Sequence, residues 1–238
     1  MIFRLLLACA LLMGAAFGQE PAVIKTKFVT CALGSLPDDF TAFYKTGETV
    51  EELMVSPAAL GLPITYQGPR RFILHKTKDG FTPPKDGEQP KPPLAFVDLP
   101  AKADNVLIIC VPLPEGKLKL LAFDISARDL AAGDYKVFNF SHSTVSVVLG
   151  KQKFTLVPGK DTMVRDDAWK GEIVALPLQI ATVTDNQLRL VYSSFWEHYP
   201  VRRNLMFMFD GTDESMPIVF NHYIVNIPPD AAPNSTQQ

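Results

Sequence analysis

Four histidines are the first residues to consider for catalysis, because imidazole is the usual general base near neutral pH. They are His75, His142, His198 and His222. Ser141 precedes His142, but adjacency in the sequence does not place a hydroxyl against an imidazole, so this pair is no triad signature. The chain also has no G-x-S-x-G nucleophile elbow. The sequence therefore predicts a protein that is not an enzyme.

Metal-ligating residues are equally sparse in the sequence. Glu197-His198 offers one carboxylate and one imidazole, but the third ligand that a metal site needs is not visible, and no C-x-x-C or H-x-x-x-H spacing occurs. Adjacent carboxylates such as Asp38-Asp39 would point to opposite faces of a strand, so they predict no glycosidase pair. We expect no metal and no cofactor.

The strongest candidate for a binding site is the segment Tyr192–Arg203, which is rich in aromatic and arginine side chains. Alternation along a strand places Tyr192, Ser194 and Trp196 on one face and Phe195 on the other. An exposed aromatic row can stack on sugar rings, and arginine supplies forked hydrogen-bond donors. A tryptophan that fills the core or plugs a strand end is the alternative. The candidate ligand-binding residues are Tyr192, Trp196, Tyr199, Arg202 and Arg203.

The first 18 residues have the layout of a secretory signal peptide. Arg4 is followed by the uncharged apolar run Leu5–Phe17, and Ala16 and Gly18 place small residues where a signal peptidase needs them. The run of 13 residues is shorter than the roughly 20 that a membrane helix needs. We therefore expect export to the periplasm, the cell envelope or the medium, and no membrane span in the mature chain. A retained N-terminal anchor is the alternative.

Cys31 and Cys110 are the two cysteines that remain after this segment. An exported protein meets an oxidising compartment, where a disulfide is permitted. A bridge between them would close a loop of about 80 residues and contribute about 4 kcal/mol in the chain-entropy model. Two separate buried thiols are the alternative, and the sequence does not decide between them.

Charge and composition exclude several classes of protein. The chain has 23 Lys+Arg against 25 Asp+Glu, a net charge of −2, and this balance argues against a nucleic-acid binder, which needs a basic field. With 47% hydrophobic and 20% charged residues, the composition is that of a folded domain. We therefore predict a non-enzymatic structural or interaction module of the cell envelope, with a carbohydrate- or peptide-binding module that uses residues 192–203 as the alternative. A hydrolase with a site assembled from distant residues is a weaker alternative. The partners would be other envelope proteins or glycans, and the oligomeric state is not readable.

Short alternating or apolar runs, separated by Pro, Gly, Asn and Asp, predict an all-β, mostly antiparallel sandwich. In Val145–Leu149 the first, third and fifth residues are apolar and share one face, and Gly150-Lys151 suits a tight hairpin. The predicted strands are Ala22–Cys31, Thr41–Lys45, Glu52–Val55, Ile64–Gln67, Arg71–His75, Leu94–Val97, Val106–Val111, Lys117–Ile125, Tyr135–Phe140, Val145–Leu149, Lys153–Val157, Thr162–Arg165, Ile173–Ala181, Gln187–Phe195, Asn204–Phe209 and Ile218–Tyr223.

Prolines mark the organisation of the chain. Phe81–Pro114 holds eight of the 20 prolines, and residues 81–93 read as an exposed Pro-rich loop or a stiff polyproline strap. Pro112–Gly116 is either a domain boundary or a hairpin turn between two strands. We predict two Ig-like sandwiches in tandem, with one large β domain as the alternative. The predicted divisions are a signal peptide at 1–18, sandwiches at 19–112 and 113–227, and a disordered tail at 228–238.

Several short motifs, from Phe43-Tyr44-Lys45-Thr46-Gly47 to Val191–Trp196, follow one another in a distinctive order. This order resembles that of an uncharacterised family of exported all-β bacterial proteins. The landmarks run from about Lys27 to Asp210, and their order carries the resemblance, since each motif alone is explained by turn chemistry. That family has no assigned activity, so the resemblance implies export and a β fold but no mechanism. The landmarks include Phe43-Tyr44-Lys45-Thr46-Gly47, Val55-Ser56-Pro57, Ile64–Pro69 with Phe72, Ala132–Tyr135 with Asn139, Phe154–Gly159, Val191–Trp196, and Arg202-Arg203 before Leu205–Phe209.

Overall fold

The computed structural model describes residues 23–57, 59–169, 171–184, 187–213 and 216–225. The predicted signal peptide at 1–18 and the predicted disordered tail at 228–238 both lie outside the described residues. Within them, the regular structure consists of β-strands and three short 3-10 turns. The all-β prediction is therefore confirmed.

Sixteen strands occupy the described part of the chain, and each overlaps a predicted strand. The poorest overlap is at the third strand, where the prediction and the structure share only Glu52. The cause is a tight turn at Gly47-Glu48, where Gly47 has a left-handed φ of 56°. The strands are β1 Val23–Ala32, β2 Phe43–Thr46, β3 Thr49–Glu52, β4 Ile64–Pro69, β5 Arg71–Leu74, β6 Ala95–Asp98, β7 Asn105–Pro112, β8 Leu118–Asp124, β9 Tyr135–Asn139, β10 Val145–Leu149, β11 Gln152–Leu156, β12 Asp161–Val164, β13 Val174–Thr184, β14 Gln187–His198, β15 Asn204–Asp213 and β16 Met216–Ile224.

The second eight strands repeat the arrangement of the first eight, and we call these sets the first unit and the second unit. The sheet β4-β1-β7-β8 has its counterpart in β12-β9-β15-β16. The hairpins β2-β3 and β5-β6 are joined by two hydrogen bonds between the backbones of Phe43 and His75, of 2.8 and 3.0 Å, which gives the order β3-β2-β5-β6. Its counterpart is β11-β10-β13-β14. The parallel pair also recurs, as β1 with β7 and as β9 with β15.

Each unit is sandwich-like, with an apolar core between its two sheets. In β10 the side chains of Val145, Val147 and Leu149 are fully buried, whereas Ser146 and Val148 are only partly buried. This is the alternation that the sequence predicts for a strand with one buried face. The hairpin predicted after it is also present, because β10 pairs with β11 across Gly150, whose φ is 61°.

A third apolar core lies between the two units. Along β7, Val106 and Ile108 point into the core of the first unit, while Leu107 and Ile109 point into the core between the units. Because both faces of β7 are buried, its sequence is a continuous apolar run rather than an alternating one. The residues of β1, β7, β9 and β15 that form this shared core are Val29, Cys31, Leu107, Ile109, Phe138, Leu205 and Phe207, all at most 2% exposed.

The segment Pro112–Gly116 is a hairpin turn, and the domain boundary predicted at residue 112 must be corrected. The strands on either side of it, β7 and β8, pair antiparallel along their length. Glu115 and Gly116 make the reversal with left-handed φ values of 62° and 67°. A boundary at residue 112 would separate β8 from its own sheet, so the first unit ends after Asp124.

Candidate functional site

The predicted binding segment begins in β14, which is an edge strand. On one side β14 pairs antiparallel with β13 from Val174↔His198 to Thr184↔Gln187, and a bulge interrupts the register between Ile180 and Ala181. On its other side β14 pairs with no described strand. Its outer row of backbone N–H and C=O groups therefore faces away from the sheet.

Tyr192 and Trp196 share one face of β14, as alternation predicts, but this face is turned into the sandwich. The indole Nε1–H of Trp196 donates to the hydroxyl of Tyr192 at 3.2 Å. The Trp196 ring packs against Phe220 and His222 of β16, with centroid distances of 5.6 and 4.7 Å. The Tyr192 ring also meets Phe220, at 4.7 Å. These half-buried rings fill the opening between β14 and β16.

The opposite face of β14 is the one exposed to solvent. Phe195 is 73% exposed. Because the bulge leaves Val191 without a partner and reverses the alternation, Leu188 and Leu190 lie on the same face as Phe195, and they are 68% and 58% exposed. Sequence reasoning placed Phe195 on the other face from Trp196 but did not recognise it as the exposed one. Alternation assigns residues to two faces without telling which face is covered, so this information comes only from the tertiary structure.

Beyond β14, the remaining candidate residues separate into a surface pair and a buried arginine. The guanidinium of Arg202 lies 3.7 Å from the centre of the Tyr199 ring. The Tyr199 hydroxyl donates to the Glu197 carboxylate, and this hydrogen bond raises the pKa of Tyr199. Arg203 is 8% exposed, and its Nη1 donates to the carbonyl of Ile125 at 3.2 Å. Arg203 therefore binds the linker between the units, and only Tyr199 and Arg202 remain at the surface.

His198 is fully buried beneath the candidate segment. Its Nε2 lies 3.2 Å from the carbonyl of Trp169, which can only accept, so Nε2 carries the proton. Its Nδ1, 3.2 Å from the Tyr135 hydroxyl, then accepts a hydrogen bond. Burial lowers the pKa of His198, in agreement with this neutral form. One bond connects the end of β14 to the start of β9, and the other connects it to the 3-10 turn Asp167–Trp169.

His142 forms an exposed pair with a carboxylate. Its Nδ1 lies 2.6 Å from Oδ2 of Asp210, and its backbone N–H donates to Oδ1 at 2.9 Å. Ser141 is buried, with its hydroxyl 2.6 Å from Oδ1 of Asn139 and 3.1 Å from the carbonyl of Ser143. The hydroxyl is thus engaged within its own loop, and the His142–Asp210 pair attaches that loop to β15.

Cys31 and Cys110 lie on neighbouring parallel strands but face opposite sides of the sheet. Cys31 is opposite Ile109 and points into the core between the units, whereas Cys110 is opposite Ala32 and points into the core of the first unit. Both are free, fully buried thiols. Of the two alternatives from the sequence, the structure has the separate thiols. Burial raises the pKa of each to about 12, so both stay protonated at neutral pH.

Glu197 and His198, the possible start of a metal site, diverge in the structure, because one reaches Tyr199 at the surface and the other is buried. Among the described residues, no three His, Cys, Asp or Glu side chains come together in a way that could hold a metal ion. The described chain also contains no helix with the length and apolar character to cross a membrane.

Comparison with known proteins assigns no relatives. No protein-family model matches the chain, and no curated protein matches it. The resemblance to exported bacterial proteins therefore stays a prediction from the order of the motifs. The candidate functional site must be judged from its geometry.

Proposed function

We propose that the chain is a non-enzymatic, exported interaction module of the cell envelope, built from two Ig-like sandwiches in tandem. The repeated strand order supports the tandem description, with units at residues 23–124 and 135–224. The sequence pattern of residues 1–18 supports export. The function we assign to the module is the binding of an extended segment of a partner protein along β14.

The observation that carries this proposal is the long exposed edge of β14, whose outer side pairs with no described strand. Leu190–Trp196, the centre of the strand, contains no charged residue and no proline. An exposed edge of this kind is a template for another strand, and natural proteins normally block it with lysine, proline or a short strand. An added strand would gain backbone hydrogen bonds along β14 and would cover Leu190 and Phe195.

Other edge strands of the described sheets carry such guards. Lys119 lies in β8, Glu51 in β3, Lys153 in β11 and Pro217 in β16. The remaining edge strands β4, β6 and β12 have only four to six residues each. β14 has 12 residues, so it is the longest of these edges, and its charged residues, Arg189 and Glu197, lie outside the central segment Leu190–Trp196.

The alternative function is that of a carbohydrate- or peptide-binding module that uses residues 192–203. The geometry favours the peptide over the carbohydrate. A sugar ring needs an open aromatic face, but Phe220 and His222 pack against the Trp196 ring. The edge of β14 and the exposed Phe195, in contrast, suit an extended peptide.

The test is a selection of peptides from a random displayed library, using the mature protein as bait, in parallel with capture of partners from a native envelope extract. We expect selected peptides with alternating apolar residues, because such a pattern places one apolar row against Phe195 and Leu190. The variant Phe195→Lys should bind them at least about tenfold more weakly, since a lysine guards the edge.

Leu62→Lys is the matched control, because Leu62 is also a protruding apolar residue, 85% exposed, but lies outside β14. It should bind the selected peptides as the unaltered protein does. A glycan array run on the same proteins tests the carbohydrate alternative. Equal binding by Phe195→Lys and Leu62→Lys, or a glycan signal that is lost in Trp196→Ala while the peptides fail to bind, would overturn the proposal.

A further inference from the structure

The repeat allows the open side of one unit to be compared with the open side of the other. In the second unit, β14 and β16 are edges of different sheets, and Tyr192, Trp196, Phe220 and His222 fill the opening between them. By the strand correspondence, the equivalent opening of the first unit lies between β6 and β8.

In the first unit this opening forms a groove, whereas in the second unit side chains fill it. The groove has a volume of about 350 Å³, and its walls include Phe96, Leu113, Leu118 and Leu120. Phe96 is 54% exposed and Leu113 is 42% exposed. An apolar groove whose walls include such exposed side chains is a surface suited to an apolar ligand.

A second cavity, of about 420 Å³, adjoins this groove, since Pro93 and Leu94 line both. Its charged lining residues are Lys76, Lys91 and Lys117 against a single carboxylate, Glu115. The chain as a whole has a net charge of −2, so this end of the groove has the opposite sign from the whole protein. The cavity therefore favours an anion.

The lysines are available to a ligand although two of them have internal partners. Lys117 lies 2.7 Å from the Glu115 carboxylate, with side chains 69% and 75% exposed, and Lys91 contacts Asp79 at a similarly exposed position. Exposed ion pairs of this kind contribute little to stability. An incoming anion can therefore share or replace these contacts without a large cost.

The wall that joins the two cavities is held in place by the fold. The backbone N–H of Leu94 donates to the carbonyl of Leu74 at 2.7 Å. His75 and Pro92 line the same cavity. The 3-10 turn Lys78–Phe81 covers His75 so closely that a Cβ at Gly80 would lie 2.4 Å from the imidazole Cγ. The end of the Pro-rich loop is thus anchored to β5 before any ligand arrives.

We propose that the groove and the cavity together bind one molecule of an amphiphile that has a single acyl chain and an anionic head. The acyl chain lies along the apolar groove beside Phe96 and Leu113, and the head occupies the cavity among Lys76, Lys91 and Lys117. This site is separate from the edge of β14, so the two proposals succeed or fail independently.

Isothermal titration calorimetry of the mature protein with dodecyl phosphate, kept below its micelle concentration, tests this site. We expect one molecule bound for each chain. Dodecyl maltoside, which has the same alkyl chain and a neutral head, and inorganic phosphate, which has no chain, should each bind at least about tenfold more weakly. Equal binding of either one would overturn the proposal, and so would no binding of dodecyl phosphate.

Two variants locate the site and one controls for charge. Lys117→Glu and Leu113→Asp change exposed side chains in the two halves of the site, and each should weaken dodecyl phosphate binding at least about tenfold. Lys153→Glu makes the same charge change in β11 of the second unit and should leave binding unchanged. Circular dichroism confirms that each variant folds. Binding only to phosphatidylglycerol vesicles, or equal losses in Lys153→Glu, would contradict a groove for single molecules.

Discussion

The side chain of Leu107 is fully buried in the core between the two units, so its truncation should destabilise the whole protein. Leu107→Ala removes three carbon atoms, worth about 0.8 kcal/mol each in lost burial, and the cavity left behind adds to this loss. We expect the free energy of unfolding to fall by about 3 kcal/mol. For a chain of this length, such a loss lowers Tm by about 6 to 12 °C.

Differential scanning calorimetry and urea unfolding of the mature protein measure this loss. Because the two units share a core, we expect a single cooperative transition that shifts as a whole. Leu62→Ala is the control, since Leu62 is 85% exposed and its truncation should change the free energy of unfolding by less than about 0.5 kcal/mol.

Two results would refute this account of the shared core. One is a loss below about 1 kcal/mol in Leu107→Ala, which would mean that the side chain is not packed between the units. The other is a pair of separate transitions in the unaltered protein, with only one of them shifted by the variant. That pattern would mean that each unit is stable alone and that their contact adds little.

Three further predictions concern single residues. Cys31 and Cys110 should give no alkylation adduct under native conditions and two adducts after unfolding without reductant, and intact mass spectrometry counts them; a bridged species would contradict the structure. Burial lowers the pKa of His198 below its unfolded value, so the unfolded chain binds a proton at a higher pH than the folded protein does. The free energy of unfolding should therefore fall as the pH drops below about 6.5. Urea titrations from pH 7.5 to 5.5 should show a shallower fall in His198→Gln. Gly150→Ala should cost about 1 to 3 kcal/mol, because a Cβ would lie 2.4 Å from the Trp169 ring, whereas Gly159→Ala, with a similar left-handed φ but open space, should cost less in the same unfolding assay.

The strands were predictable because most of them obey local rules. Val145, Val147 and Leu149 alternate with less buried residues, and glycine marks the turn that follows. A strand with one buried face can be recognised from this alternation in the sequence. The continuous apolar run of β7 was also recognised as a strand, but the sequence did not tell that its second face is buried against another unit.

The candidate site was less predictable because it depends on contacts between distant parts of the chain. The common face of Tyr192 and Trp196 follows from alternation, yet only the position of β16 shows that this face is internal. Arg202 and Arg203 are adjacent in the sequence, but one stacks on Tyr199 at the surface and the other is buried against the linker. No local pattern distinguishes these outcomes.

The central claim is that a partner strand pairs with the exposed edge of β14. Backbone hydrogen exchange of the mature protein, measured with and without a selected peptide, tests it most directly, since an added strand forms hydrogen bonds with outward-facing amides of this edge. The account predicts slower exchange in β14, centred on Leu190–Trp196, and no change in the equivalent strand β6. Protection elsewhere, with β14 unchanged, would contradict it.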